Sequence, residues 1–377
     1  MTSIPRVDIN LEALCHNFRA LAHATPQAKP SAVVKCDAYG LGLIPVSRAL
    51  AIKEQCDTFF VAHTSTGKRL RNALSDIAPD ATIFILNGPG QDTIDDFHQA
   101  TLTPILNSHE QVALWAKRFP KIKAAIHFDT GMNRLGLPPD FAKEYADKKD
   151  LNIKMIMSHF SCASNPGAPT LAKQHAAFKN LCEYFPNAQR SLASTGGALM
   201  NAEYGFDLTR LGVGLYGVGP YTGSHEKIKP VARLTAPVIQ LRQIDTGESA
   251  GYDCTFTASR KTHLATVALG YGDGFPRAGS NQATAYLGNK QCPIVGRISM
   301  DLIIIDVTET VSPVKVGDFA EFFGEQVLIE DAAAKCGTIG YELLTSLGSR
   351  IEKRYFWGDK PAEIEMMARD ERGTIER

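Results

Sequence analysis

The chain carries no net charge, no long apolar run and no cysteine pair at metal or redox spacing, and each absence removes a class of protein. Forty Lys and Arg balance 40 Asp and Glu, so no global basic field exists to hold nucleic acid or an anionic membrane. No apolar segment approaches the ~18 residues that a membrane span needs; stretches such as Leu302–Ile305 are far shorter. The opening residues, MTSIPRVDIN, contain no basic stretch followed by an apolar run, and no export signal is expected. The eight cysteines (15, 36, 56, 162, 182, 254, 292, 336) are scattered without a C-x-x-C. That scatter predicts free thiols, no metal site and a cytoplasmic setting. No segment is of low complexity.

What is present reads as an ordinary folded protein, with 44% hydrophobic and 21% charged residues. The 377 residues lean towards two domains, at roughly 150 residues each. Leu11, Leu14, Phe18 and Leu21 fall on one helical face, and a helix is expected to open near Asn10. Short β-favouring runs follow at Ala32–Val34, Thr58–Val61, Thr82–Leu86, Leu102–Leu106, Ile122–Phe128, Ile153–Met157, Arg190–Ala193 and Val213–Tyr216. Helical segments such as Pro45–Gln55, Ser108–Arg118 and Leu171–Phe185 fill most gaps, with Ser108 as an N-cap. Eight strands alternating with helices over residues 1–223 suit a (β/α)8 barrel, with a doubly wound open sheet as the competing reading.

After Thr222–Lys229, the expected linker, the texture changes. Val238–Ile244, His263–Leu269, Ala283–Leu287, Cys292–Ile298, Leu302–Val307 and Phe319–Phe323 read as strands between Gly, Pro, Asp and Asn turns. Only Gly340–Ser349 reads as helical, so residues 230–377 are expected to form a mostly β domain.

On a barrel the chemistry collects at the C-terminal strand ends. Lys35 and Tyr39 follow the first expected strand, His63 the second, Asn87-Gly88-Pro89-Gly90 the third, Asp129 and Arg134 the fifth, His159 the sixth, and Ser194-Thr195-Gly196-Gly197 the seventh. Arg210-Leu211-Gly212 precedes the eighth. Lys35 directly follows Ala-Val-Val, an apolar strand that would carry it into the barrel mouth. There a partly desolvated amine has a depressed pKa and can form a Schiff base. Ser-Thr-Gly-Gly at 194–197 and Gly-Val-Gly at 212–214 occupy the place where barrels commonly bind phosphate. A phosphate site beside a buried lysine suggests pyridoxal phosphate among other possibilities. Gly212–Gly217 also matches G-x-G-x-x-G, but that fingerprint needs a strand before it and a helix after it, and neither is expected here.

These residues resemble the alanine racemases. Ala32-Val-Val-Lys-Cys-Asp-Ala-Tyr-Gly40 resembles the family's pyridoxal-phosphate lysine motif. Agreement continues at Asp129–Gly136, Ser158–Phe160, Arg210–Gly217, Gly251-Tyr252, Gly270–Arg277, Val295–Asp301 and Tyr341-Glu342, in family order over nearly the whole chain. The resemblance implies a (β/α)8 barrel with a C-terminal β domain and a head-to-tail homodimer whose β domains complete each other's active sites. It implies that Lys35 bonds the pyridoxal 5′-phosphate. Tyr39, Thr195, the Gly212 and Val213 amides and Tyr341 would hold the phosphate, with His159 beside the pyridine ring and Arg210 facing its nitrogen.

Tyr252, Tyr271 and Met300 would come from the partner subunit. Arg134 would clamp the substrate carboxylate or support its site, with the Met300 amide as a second donor. The implied activity is interconversion of L- and D-alanine by two bases, Lys35 and Tyr252, supplying D-alanine for peptidoglycan. Other implied readings are a broader amino-acid racemase, a basic amino-acid decarboxylase and a non-catalytic cofactor carrier. Two positions depart from the family. Many members carry a carbamylated lysine where this chain has His127, so no carbamylated lysine is expected and Arg134 needs another partner. Ser194-Thr195 stands where Asn-Ser is common, which preserves a hydroxyl.

Overall fold

The computed structural model describes residues 4–288 and 290–362; the end of the expected second domain, residues 363–377, lies outside them. A first strand, β1 (Arg6–Asn10), leads into a helix at Leu11–Ala24. The Asn10 side chain caps that helix by accepting from the Ala13 amide at 3.0 Å, and Leu11, Leu14, Phe18 and Leu21 form its buried face.

Eight parallel strands follow: β2 (Lys29–Val33), β3 (Thr58–Val61), β4 (Thr82–Ile85), β5 (Thr103–Leu106), β6 (Lys123–His127), β7 (Asn152–Met157), β8 (Gln189–Ser191) and β9 (Leu208–Leu211). They pair in the order β8-β7-β6-β5-β4-β3-β2-β9. A bridge between Ser194 and Arg210 brings the two end strands together. The result is a nearly closed (β/α)8 barrel. Runs such as TFFV in β3 and TPIL in β5 are buried throughout, as strands covered on both faces must be.

The expected eighth strand at Val213–Tyr216 is a correction. Those residues form a 3₁₀ turn, and the strand is Leu208–Leu211, paired with β2 from Lys29↔Leu208 to Ala32↔Leu211. Gly212, Gly214 and Gly217 break the extended run: the Leu215 amide folds back to the Gly212 carbonyl at 2.8 Å, and Gly217 turns with φ 80°. Arg210 therefore sits inside the eighth strand, and Gly212-Val213 follow it at the barrel mouth.

The second unit is mostly β. Its spine is β10 (Ala232–Ile244), 13 residues long, antiparallel to Thr262–Val267 and Phe319–Phe323. Strand β1 belongs here too, antiparallel to β10 and parallel to Glu352–Trp357. The sequence reading had neither β1 nor Glu352–Trp357, because each is short and finds its partner hundreds of residues away. It also missed a short helix at Ile329–Lys335 beside the expected one, observed at Gly340–Thr345.

The segment that connects the two units is held by specific contacts. Fully buried Asn17 donates to the carbonyls of Leu215 (3.3 Å) and Lys229 (2.8 Å) and accepts from the Lys229 amide (2.7 Å). It thereby pins the end of the connecting segment to the barrel. Among the described residues no helix is long and apolar enough to cross a membrane.

Candidate active site

The C-terminal ends of the barrel strands open into one cavity of about 850 Å³. Lys35, Tyr39, Arg134, His159, Thr195, Arg210, Gly212, Val213 and Tyr341 all line it. Tyr252, Tyr271 and Met300 do not; they stand on the β domain's surface, 70%, 42% and 54% exposed. His63 lies just outside the lining, its ring beside the Asn87 amide at 3.3 Å.

Lys35 opens a turn of unusual hand. Cys36, Asp37, Ala38 and Tyr39 all have φ between 52° and 56°, and Gly40 follows at 85°. The Gly40 amide donates to the Cys36 carbonyl at 2.8 Å, closing one turn of left-handed helix. L-residues disfavour that hand by about 1–2 kcal/mol each, so surrounding contacts must hold it. Asp37 accepts from the Leu43 amide at 2.9 Å and pairs with Lys353 at 2.8 Å. The Leu344 carbonyl presses so closely on Gly40 that a Cβ there would lie 2.2 Å from it. The turn swings Tyr39 back over the barrel end, stacked on Tyr216 with ring centroids 4.5 Å apart. Tyr341, from the helix Gly340–Thr345, stands 6.3 Å from Tyr39.

Burial lowers the Lys35 ammonium, with Arg134 adding to the effect and Cys36 opposing it. A larger share of neutral amine results. Burial drives the Tyr39 hydroxyl upward, so Tyr39 is a protonated donor.

Arg210 is 3% exposed. It donates to the Ser191 hydroxyl (2.7 Å), the Ser158 and Leu192 carbonyls (2.6 and 3.0 Å) and His159 Nδ1 (3.2 Å). Burial pushes it down to about 9, which still leaves a cation at neutral pH. His159 is driven well down by burial and then by Arg210, and is neutral. The lining thus holds three cationic side chains, Lys35, Arg134 and Arg210, and among the described residues no Asp or Glu. A cavity so composed is built for a negatively charged occupant.

One end of the cavity is a cradle of small groups. The Thr195 hydroxyl accepts from the Gly212 amide at 3.0 Å and, more weakly, from Gly214 at 3.4 Å. A Cβ on Gly212 would lie 2.8 Å from the Tyr39 hydroxyl, and one on Gly196 would lie 2.1 Å from the Ala163 carbonyl. Both glycines are needed for the backbone to approach this closely. Hydroxyl donors and strand-end amides around a small space fit a phosphate group.

Sequence reading missed Asn107, which accepts from His127 Nδ1 at 2.9 Å. The signal was available: Asn107 directly follows β5, the same strand-end place that singled out the other polar residues, but attention went to Ser108 as a cap. Cys36, Ile339 and Thr345 also line the cavity without having been expected.

On the β domain, the loops bearing Tyr252, Tyr271 and Met300 are tied into one surface. The Tyr271 amide donates to Ser299 (3.0 Å) and the Gly272 amide to Met300 (2.8 Å). Arg350 bridges Asp273 (2.9 Å) and Asp301 (2.7 Å), and Arg297 pairs with Asp253 at 3.0 Å. Asn281 joins Thr255 (3.2 Å between the amide nitrogen and the hydroxyl) to Gly296 (2.6 Å).

Two family models match the chain: the alanine racemase N-terminal domain over residues 9–220 and its C-terminal domain over residues 231–355. A curated alanine racemase of Methylobacterium sp. (strain 4-46) is 40% identical over 358 residues, 93% of this chain and 97% of that protein. One of Rickettsia conorii is 39% identical over 363 residues, 94% and 99%. Among solved structures, alanine racemase from Bartonella henselae with covalently bound pyridoxal phosphate superposes with a TM-score of 0.87 at 35% identity, covering 94% of this chain and 100% of that one. The biosynthetic alanine racemase from Pseudomonas aeruginosa gives 0.87 at 29% identity, with the same coverage.

Proposed function

The chain belongs to the alanine racemase family, and on that premise we propose that it interconverts L- and D-alanine on bound pyridoxal 5′-phosphate, using Lys35 and the partner subunit's Tyr252 as opposed bases. The observation that carries this reading is the cavity's composition: three cations, no lining carboxylate among the described residues, and a hydroxyl-and-amide cradle at one end. Such a cavity suits an anionic phosphate and the carboxylate of an amino acid together. When bound, pyridoxal phosphate supplies an aldehyde to hold the substrate amine and a ring that withdraws charge from Cα.

The chain's residues divide the remaining work. Tyr39, Thr195, Tyr341 and the Val213 amide would hold the phosphate, and the Gly212 amide, which donates to the Thr195 hydroxyl at 3.0 Å, would leave that hydroxyl's own hydrogen for it. His159, neutral and backed by Arg210, flanks the ring. Arg210, still a cation at neutral pH, would stand toward the ring nitrogen and oppose its protonation, which would limit how much charge the ring draws. Arg134 takes the substrate carboxylate. Lys35, its ammonium lowered by burial, exchanges a proton with Cα on one face. The Tyr252 hydroxyl exchanges one on the other, so a proton leaves one side and another arrives on the opposite side.

A shared site is supported by where Tyr252, Tyr271 and Met300 stand: exposed, tied into one surface and outside their own chain's cavity. A head-to-tail homodimer with two-fold symmetry would seat that surface on the partner's cavity mouth, where Ile339 and Leu135 are exposed. The eight free thiols suit a reducing, cytoplasmic setting, and D-alanine made there would feed peptidoglycan synthesis.

The test is circular dichroism of L-alanine incubated with the pyridoxal-phosphate-loaded protein. The signal decays to zero with the native chain and holds steady with Lys35→Ala. A steady signal with the native chain overturns the proposal.

A further inference from the structure

One buried group at the barrel mouth has no part in the steps above. His127 ends β6, is 7% exposed and lines the cavity. Its Nδ1 lies 2.9 Å from Asn107 Oδ1. The Asn107 amide nitrogen spends both hydrogens on backbone carbonyls, Leu86 at 3.0 Å and Ile105 at 2.9 Å. Turning that amide over would set its oxygen against two carbonyl oxygens, so Oδ1 must be the atom facing His127. An oxygen can only accept there, and the proton must sit on Nδ1. The second nitrogen, Nε2, is then left as a bare acceptor.

The surroundings keep it so. Burial holds His127 down to about 4; Arg210 and Arg134 reinforce this, while Asp129 opposes it. Neutral His159 faces it from the end of β7. The Asp129 carboxylate is held in its own loop by the Gly131 and Met132 amides, both donating to Oδ1 at 2.7 Å. Arg134 is exposed on the same cavity wall and, among the described residues, makes no side-chain hydrogen bond or ion pair. A guanidinium with five donors and a buried imidazole nitrogen with a free lone pair thus share one wall. The loop carrying Arg134 folds back there, with the Leu137 amide donating to the His127 carbonyl at 2.8 Å.

We infer that His127, fixed in its Nδ1–H tautomer by Asn107, is the acceptor that positions Arg134 for the substrate carboxylate. The inference rests on the proposed role of Arg134. His127 is a positioning residue: it acts through Arg134 and gives this chain a neutral nitrogen where a negatively charged group would otherwise orient the arginine.

The test uses the loaded holoenzyme, with acetate as a bare carboxylate competing with L-alanine. ¹⁵N NMR of the native protein is expected to show a protonated His127 Nδ1 and a bare Nε2, unchanged from pH 6 to pH 9. His127→Leu raises KM for alanine and Ki for acetate together by about 10–100-fold, with a smaller change in kcat, and His127→Gln, which restores an acceptor, recovers part of the loss. Asn107→Asp puts a carboxylate on Nδ1 and favours the imidazolium, so Nε2 gains a hydrogen and can no longer accept from Arg134. Its KM then rises as pH falls below neutrality and recovers as pH rises, a profile the native enzyme lacks and mere loosening of the fold would not give.

Arg134→Gln separates the two claims. If it leaves KM and Ki unchanged, the carboxylate role of Arg134 falls. If it weakens both while His127→Leu stays within twofold of native, only the positioning role of His127 falls. A proton on Nε2 in the native protein also overturns it. Should His127→Leu fail to fold, the NMR tautomer and the Asn107→Asp profile decide.

Discussion

The barrel mouth and the β-domain surface contribute to the proposed site in opposite ways. The mouth is recessed, cationic and assembled within one chain: Arg210 is spanned by four acceptors, and Tyr39, Thr195 and Tyr341 converge on one cavity. The surface that carries Tyr252, Tyr271 and Met300 is wet and turned outward, yet its loops are braced by Arg350, Arg297 and Asn281. Bracing costs side-chain freedom, and exposed aromatic and thioether groups are poorly placed in water. The difference sets a recessed cationic cavity against an exposed, braced surface that, in the proposed head-to-tail dimer, the partner would cover.

The largest expected effect strikes the mouth. Lys35→Ala removes the only lysine among the described residues of the cavity lining and is expected to lower alanine racemisation by more than about 10⁴-fold, since covalent attachment and one base are lost together. Optical rotation of L-alanine checks it. Next comes the outer surface. Tyr252→Phe is expected to cut racemisation by about 10²–10⁴-fold while the bound cofactor's visible absorbance stays native. A matching loss of absorbance would mean that Tyr252 serves the fold and not the chemistry.

Mixing these two inactive variants probes the division itself. In a hetero-dimer, one site pairs an intact Lys35 with an intact Tyr252. Random reassortment should therefore restore about a quarter of native activity. Continued inactivity after confirmed subunit exchange would place both bases in one chain and erase the contrast between the two surfaces.

Smaller effects sharpen the recessed character of the mouth. His127 is held near 4 against an ordinary 6.5, so the unfolded chain binds a proton there that the folded chain refuses. Stability is complete above about pH 6.5 and falls as pH drops towards 4, by about 3 kcal/mol for this group; His159 acts in the same direction. Urea midpoints at pH 7.5, 6 and 5 should fall less steeply in His127→Gln than in the native protein. The smallest effect is expected of Thr195→Val, which removes one hydroxyl from the cradle and should weaken pyridoxal phosphate binding by about 1 kcal/mol, roughly fivefold. Titration of the cofactor-free protein measures it.

Much of the barrel was legible because its strands are continuous apolar runs and its polar residues follow them. Thr58–Val61 was expected residue for residue, and Lys35 was marked by the strand before it. The eighth strand was misplaced because Val-Gly-Leu-Tyr has β-favouring side chains, and only the pairing of Leu208–Leu211 with β2 decides the matter. Strand β1 was invisible for a related reason: its partners begin at Ala232 and Glu352, and no local pattern encodes such a pairing. The cavity's polar set could be read from strand ends. The tautomer of His127 could not, since it depends on how Asn107 spends its hydrogens. Tyr252, Tyr271 and Met300 entered only through resemblance, because no periodicity or strand-end position marks them.

The left-handed turn after Lys35 also bears on how the protein is made. Its clamp, Lys353, lies 316 residues downstream, and Leu344 and Tyr355, whose hydroxyl bonds the Leu41 carbonyl at 3.1 Å, emerge from the ribosome equally late. At 5–20 residues per second, the lysine waits about 15–60 s for the contacts that fix its turn. A chain arrested in translation before residue 344 would carry the lysine without the braced geometry around it.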